Sequence, residues 1–487
     1  MNDIIYPTLD LFLYDLRDGL GENIGEIADN QEGFARKIPE QVRSLMKQRD
    51  VEVEAEYVEL LGYRGRERFD SSSQKYALKG YYYPVRIGDS YGLLLDCSVE
   101  HSLGHPELTK IEACPVNCLA DLKAELDGRL SEPSSTIGQV WMVSGQIPDF
   151  TPEKAEAIAQ ACCQVPELEL DWNRDLRGKS EFMGGMLFDL WRYRFKGLNN
   201  ALGSDSISIF NIQQLQDNHH VIIAFYPDSR IAREASEFNF DWLRLFAYRS
   251  KIIWAYGQSQ YLRKKLKDDF IAIQKSIRDF NQAQARRLNL KKLRQTLVDA
   301  QNTLSNYSIN LKYLNTQKRT IEVNLLNYRR RLDRIQQRLT NFQAASVLEC
   351  LKQFGDDVER RYLLQVQSDY ENFSPGLSLL ENLINSVRGV TEIDQSERDR
   401  NFQEIIAVAG VGLAAGALAA SSAEQFPGMS EPKEVVKYPI GSTLAQWGVP
   451  DSWLPPTILA TVSLGMTIIF ALLTALLIKL SWLFRKL

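Results

Sequence analysis

Between Gly257 and Gly355 the chain contains neither glycine nor proline, and so long a stretch without a breaker commits this part of the molecule to long helices. Within it, apolar or near-apolar residues recur at alternating steps of three and four. The series is Leu290, Leu293, Leu297, Ala300, Leu304, Tyr307, Leu311, Leu314, Lys318, Ile321, Leu325, Tyr328, Leu332, Ile335, Leu339 and Phe342, with Lys318 as its polar defect. This is the pattern of a coiled-coil seam of about seven heptads, and one helix over it would be roughly 80 Å long at 1.5 Å per residue. The spacing shows that a seam exists but leaves open what fills it: another chain, or an antiparallel partner helix in the same chain. Upstream, Leu266, Phe270, Ile273, Ile277 and Phe280 keep the spacing but fall out of phase by Leu290, which predicts a break or turn within 281–289. Downstream, Ser374-Pro375-Gly376 reads as a helix start, with Ser374 as N-cap and Pro375 in the first helical position. Leu380, Leu383, Ile384, Val387 and Val390 then form one face of an expected stalk helix over 374–404.

Charge divides the chain into blocks. Residues 1–257 sum to −13, residues 258–354 carry 20 basic against 7 acidic side chains, and the remainder sums to −5, giving the formal −5 of the whole. Clustered Lys and Arg are what nucleic acid or anionic lipid requires. A charge run is more commonly a solvated helix face, and the acidic N-terminal part can neutralise this one, so nucleic acid is not the expected partner.

The N-terminal part reads as an acidic α+β or α/β domain over 1–228. "YYYPVRIGDSYGLLLDC" contains two apolar runs joined by Gly88-Asp89-Ser90, a hairpin signal. "IGQVWMVSGQI", "ISIFNIQQL" and "HHVIIAFY" add further strands, and Thr151-Pro152 opens a helix over 151–163. The first residues carry Asp3, Asp10 and Asp15 and no basic leader, which is not a secretory signal. Six unevenly spaced cysteines suggest a reducing compartment rather than a disulfide framework. Walker, dinucleotide-binding, nucleophile-elbow and zincin motifs are missing from the sequence, so an enzyme is not expected. One constellation bears on metal chemistry: Cys97, His101, His105, Cys114 and Cys118 could supply the thiolates and imidazoles of a divalent-metal site. The alternative is ordinary free thiols and surface histidines. His219 and His220 adjoin on an expected strand and so point to opposite faces.

At the C-terminal end, residues 405–423 and 457–478 contain no charge, and each is long enough for a spanning helix of about 17–25 residues. The second is flanked by Trp453 and Trp482 at the expected interfaces. The first is poor in large side chains, and its Gly412, Gly416 and Ala420 form a small-residue stripe that lets backbones approach closely. Either it packs against protein or a lumen, or it is a buried Ala/Gly-rich helix of a soluble domain. Lys479, Arg485 and Lys486 in the tail 479–487 predict a cytoplasmic C-terminus, which returns the N-terminal domain to the same side. The expected organisation is thus a domain over 1–228, a helical coiled-coil region over 229–373 and a stalk over 374–404. A transmembrane hairpin of 405–423 and 457–478 follows, joined by an external loop over 424–456.

This order of parts resembles the CorA-type metal-ion transporters. The Gly-Met-Asn found at the outer end of that family's first span is matched by Gly428 and Met429, with Ser430 in place of the asparagine. The resemblance implies a homo-oligomer, pentameric in that family, embedded in membrane lipid and conducting a divalent metal ion. Gly412, Gly416, Ala420, Ser421 and Ser422 would line the pore or the helix packing, and Gly428, Met429 and Ser430 the outer mouth. The expectation is therefore an ion channel or transporter of the bacterial inner membrane with a cytoplasmic regulatory domain. The alternative is a non-conducting, membrane-tethered sensor or scaffold whose coiled coil recruits a partner.

Overall fold

The computed structural model describes residues 3–18, 24–40, 43, 46, 56–102, 113–131, 135–195, 216–285, 290–340, 342, 348–395, 410, 414, 443, 447, 467, 469, 470, 472 and 473. Those within 1–17, 32–263 and 313–370 form one compact unit, and those within 18–31, 264–312 and 371–487 another.

The first unit is built on a mixed sheet. Its strands are β1 (Asp3–Leu16), β2 (Tyr57–Glu59), β3 (Glu67–Ser72), β4 (Tyr76–Ile87), β5 (Ser90–Ser102), β6 (Ala113–Pro115), β7 (Gly138–Gln146), β8 (Leu176–Phe182), β9 (Gly185–Phe195) and β10 (Gln216–Tyr226). The main path runs β2-β4-β5-β1-β7-β10-β9-β8, with β3 beside β4 and β6 beside β1. All pairings are antiparallel except β7 with β10. The β4–β5 hairpin closes at the expected turn, where Gly88 takes φ +55°, a left-handed value glycine adopts without a Cβ penalty.

The sheet buries both faces. On one, Leu9, Leu11 and Leu13 of β1, Leu93 and Leu95 of β5 and Val221 and Ile223 of β10 pack with Leu119, Leu122 and Leu126 and with Ile158 and Ala159. These last belong to the helices Cys118–Arg129 and Pro152–Cys162. The second helix begins as expected at Thr151-Pro152, with the Thr151 hydroxyl accepting from the Lys154 N–H. Alternate residues meet helix α1 (Asn239–Ala285) on the other face. Phe12 and Phe246 meet edge to face at 5.2 Å, and the Tyr14 hydroxyl donates to the Leu243 carbonyl at 2.8 Å. Phe12 is fully buried, which is worth about 1.5–3 kcal/mol relative to exposure.

Helix α2 (Leu290–Thr340) returns antiparallel to α1. Within the first unit Asp241 of α1 is paired to Arg331 and Arg338 of α2. Within the second, Asn310 of α2 donates to Asp269 of α1 at 3.3 Å. Members of the heptad seam meet the helices that follow α2: Tyr307 donates to the Phe373 carbonyl at 2.6 Å and Tyr328 to the Leu351 carbonyl at 2.8 Å, so other helices of the same chain help to cover it. Leu293, Leu297, Ala300, Leu311, Leu314, Ile321, Leu325, Leu332, Ile335 and Leu339 are buried in it. The buried polar member is Gln317, while Lys318 is only partly covered. The expected break separates the two helices, since α1 ends at Ala285 and α2 begins at Leu290.

Three further helices follow: α3 (Glu349–Asp357), α4 (Leu364–Phe373) and α5 (Pro375–Gln395), with a π-turn segment at Val358–Leu363 between the first two. Pro375 starts α5 as expected, but Ser374 does not cap it. Its hydroxyl donates backward to the Glu371 carbonyl, because α4 ends immediately before it and offers an acceptor.

The expected transmembrane hairpin is corrected. Among the described residues no helix is long and apolar enough to cross a membrane, and 405–423 and 457–478 lie almost wholly outside them. The two-span fold class, the membrane and channel assignments and the integral-membrane localisation are therefore unsupported. Uncharged length is a permissive signal: alanine, glycine and serine lengthen the first segment while adding little hydrophobicity. The strand expected at 207–215 and the external loop at 424–456 also lie outside the described residues, apart from Thr443 and Trp447 of the loop.

Candidate anion-binding cleft

On α2 of the first unit, Asn327, Arg330, Arg331 and Arg334 stand at positions i, i+3, i+4 and i+7, one face of a helix. Tyr328 and Leu332 between them and Ile335 just after them are buried, so packing of the apolar stripe fixes the direction in which the arginines point. Arg244 and Tyr248, one turn apart on α1, face them. Glu56 and Tyr57, at the start of the short edge strand β2, close the remaining side. Together they enclose a cleft of about 160 Å³.

Tyr57 is held by its neighbours. Its hydroxyl lies 3.1 Å from that of Tyr83, which donates to Glu59 at 2.6 Å, and the Arg244 guanidinium covers its ring at 3.5 Å. Burial raises the Tyr57 pKa, and burial also raises that of Tyr248, although nearby guanidinium groups pull both back. Both remain phenols at neutral pH and can donate hydrogen bonds.

The four arginines differ in engagement. Arg331 donates to Asp241 at 3.1 Å, and Arg244 stacks on Tyr57, yet each keeps a buried Nε without a hydrogen-bond partner. Arg330 and Arg334 are exposed, and among the described residues neither has an ion pair or hydrogen bond. Four guanidinium groups and the carboxylate of Glu56 make the lining formally +3, although Arg331 is already paired with Asp241 outside it. Planar guanidinium forks suit phosphate and carboxylate oxygens, which they bind bidentately. The lining residues include no alcohol, thiol, imidazole or amine to act as a nucleophile.

Two further clusters of buried charge lie beneath α1. Asp10 of β1 stands directly opposite Asp96 of β5, which stands opposite Tyr81 of β4. Burial, reinforced by Asp96, holds the Asp10 carboxyl well above the usual range, and burial lifts Asp96 to about 6. Farther along, His220 Nε2 lies 2.8 Å from Asp189 Oδ1, beneath the buried Arg249. Burial, with Arg249 nearby, lowers the His220 pKa to about 4, so it is neutral at pH 7. His219 points to the opposite face, with Nε2 2.8 Å from the Leu168 carbonyl.

The residues expected to serve a metal are partly dispersed. Cys114 of β6 and Cys118 come together, and the Cys114 hydrogen bond and burial raise the Cys118 thiol pKa far above its usual value. Cys97 is buried on β5, its pKa pushed up to about 12 by desolvation. His101 lies farther along β5 and His105 falls outside the described residues. Among the described residues no group of three or more His, Cys, Asp and Glu side chains could hold a metal ion. Gly412, Gly416, Ala420, Ser421, Ser422, Gly428, Met429 and Ser430 all lie outside the described residues.

The basic block is evident in the sequence, and so is the i, i+3, i+4, i+7 spacing of Asn327 and the three arginines. Sequence reasoning takes the basic block for a solvated helix face and misses this arginine face, together with Tyr57 and Arg244, which convert it into a cleft. No protein family, curated protein or solved structure matches the chain.

Proposed function

We propose that the chain is a ligand-binding sensor or scaffold rather than an enzyme, and that its ligand is a small anion bearing phosphate, held in the arginine-lined cleft. The observation that carries this reading is the convergence of four guanidinium groups from two helices on one concave site, two of them exposed and without partners among the described residues. A cluster of like charges is costly unless an anion or a solvated surface relieves it. The concave setting, with guanidinium groups converging from two helices, favours an anion over a purely solvated face. The ligand would bridge α1 and α2 within the first unit.

The test is thermal unfolding in orthophosphate against chloride at matched ionic strength, so that general screening cancels. Phosphate is expected to raise the unfolding temperature of the parent chain and to leave that of an Arg330→Ala/Arg334→Ala double variant unchanged. Equal shifts in both proteins, or none in either, would refute the cleft as the site.

A further inference from the structure

Building on that anion-site reading, we infer that the cleft selects a phosphate that still carries a P–OH proton, as free orthophosphate does, and that Glu56 reads this proton. The lining is chemically two-sided. From the helices come donors: Arg330 and Arg334 are exposed and without partners among the described residues, and the Tyr248 phenol can donate beside them. From the strand side, Glu56 brings the lining's single carboxylate, a group that can only accept when ionised.

The backbone of Glu56 is fixed, since its carbonyl accepts from the Gly88 N–H at 2.8 Å. Its side chain is exposed, and among the described residues its carboxylate has neither an ion pair nor a hydrogen bond. Four arginines line the same cleft, yet the carboxylate pairs with none of them. Its charge is nonetheless felt inside. Burial is the main cause of the raised Tyr248 pKa, and Glu56 adds to it. An acceptor therefore stands free at the edge of a site lined mainly by donors.

An anion held by the arginines lies in the field of this carboxylate, and two like charges at close range repel unless they share a proton. Orthophosphate supplies one: its P–OH donates to Glu56 while its other oxygens accept from the guanidinium groups. Sulfate has the same tetrahedral shape and, in mildly alkaline solution, the same double charge. It has no proton to give, so it meets Glu56 oxygen against oxygen. A phosphate monoester, whose second pKa is about 6, has likewise lost its proton in such a solution. A site that presents an acceptor for a ligand O–H rejects an analogue lacking it more strongly than cationic groups alone do.

The experiment is titration calorimetry on the full chain with orthophosphate, sulfate and methyl phosphate, at matched ionic strength and at about pH 8, where the ester is a dianion. Orthophosphate is expected to bind about ten-fold or more tighter than either of the others, the gain of one charge-assisted hydrogen bond. Glu56→Gln keeps the size of the side chain and removes its charge. It should tighten sulfate binding and erase the preference, a gain that a merely structural loss would not give. Equal affinity of the parent chain for orthophosphate and sulfate would overturn the role of Glu56 and leave the anion site standing. So would a preference that survives in Glu56→Gln. Methyl phosphate binding as tightly as orthophosphate would also overturn it, and would assign the phosphate to an ester source. Binding of none of the three would overturn both readings.

Discussion

Arg244 and Arg249 stand little more than one turn apart on α1, yet they meet opposite fates. Arg249 is 1% exposed. Its guanidinium lies over Trp191 at 5.2 Å and Phe354 at 4.7 Å, near Asp189, and neither Nη has a hydrogen-bond partner. Arg244 reaches a cleft with three other arginines. In the first setting the arginine is packed between aromatic rings and holds α1 to the sheet. In the second, it stands at a cleft among like charges. An arginine packed inside the fold reports on stability, and one at the edge of a charged cleft reports on a ligand.

The comparison breaks most visibly at Arg249. Arg249→Ala removes a fully buried side chain with its contacts to Trp191 and Phe354, and core truncations of this size cost about 2–5 kcal/mol. A large fall in the urea midpoint is expected, whereas a loss under about 1 kcal/mol would mean that the buried network does little for stability.

A smaller effect is expected of Tyr328, whose hydroxyl donates to the Leu351 carbonyl at 2.8 Å beside Arg249. Tyr328→Phe removes that bond while the Leu351 carbonyl keeps its helical partner, and should cost about 0.5–1.5 kcal/mol, read from the same denaturant curves.

The carboxylate pair supplies a pH test. Asp10 and Asp96 face each other, with the neutral phenols of Tyr81 and Tyr226 nearby and Arg66 and Lys79 contributing positive charge. Their folded pKa values are raised, so the native state holds protons that the unfolded state releases. This contribution is fully present below the unfolded value of about 3.9 and is lost as pH rises through about 6 for Asp96. The neutral His220 acts in the opposite sense, losing stability as pH falls from about 6.5 toward 4. The informative quantity is therefore the difference between the parent chain and Asp96→Asn. The variant should gain relative stability, on the order of 1 kcal/mol, between about pH 4 and 6.5. A flat difference would remove the carboxylate pair from the account.

At the other end of the scale, Arg330→Ala or Arg334→Ala should change stability in ligand-free buffer by less than about 0.5 kcal/mol. A substantial loss would place these arginines with Arg249 as structural.

The parts of the fold that could be read from sequence rest on local rules. The hairpin at Gly88, the helix opened by Thr151-Pro152 and the break between α1 and α2 each depend on residues a few positions apart. β1 was less legible because Asp10 and Asp15 interrupt its apolar run. Their partners are distant: Asp96 lies across the strand pair, and Lys37 meets Asp15 at 2.6 Å. The seam was legible as a pattern, but what covers it depends on how the chain's other helices fold back. The arginine face was similarly periodic, while the cleft depends on Tyr57, far away in the chain.

The most direct measurement is the urea midpoint of the parent chain and of the Arg330→Ala/Arg334→Ala variant, each with and without saturating orthophosphate at matched ionic strength. A ligand at about 100 times its dissociation constant stabilises the native state by about 2.7 kcal/mol. The account predicts a rise of that order in the parent chain and none in the variant. An equal rise in both, or no rise in the parent chain, would contradict the claim that the cleft is a phosphate-binding site.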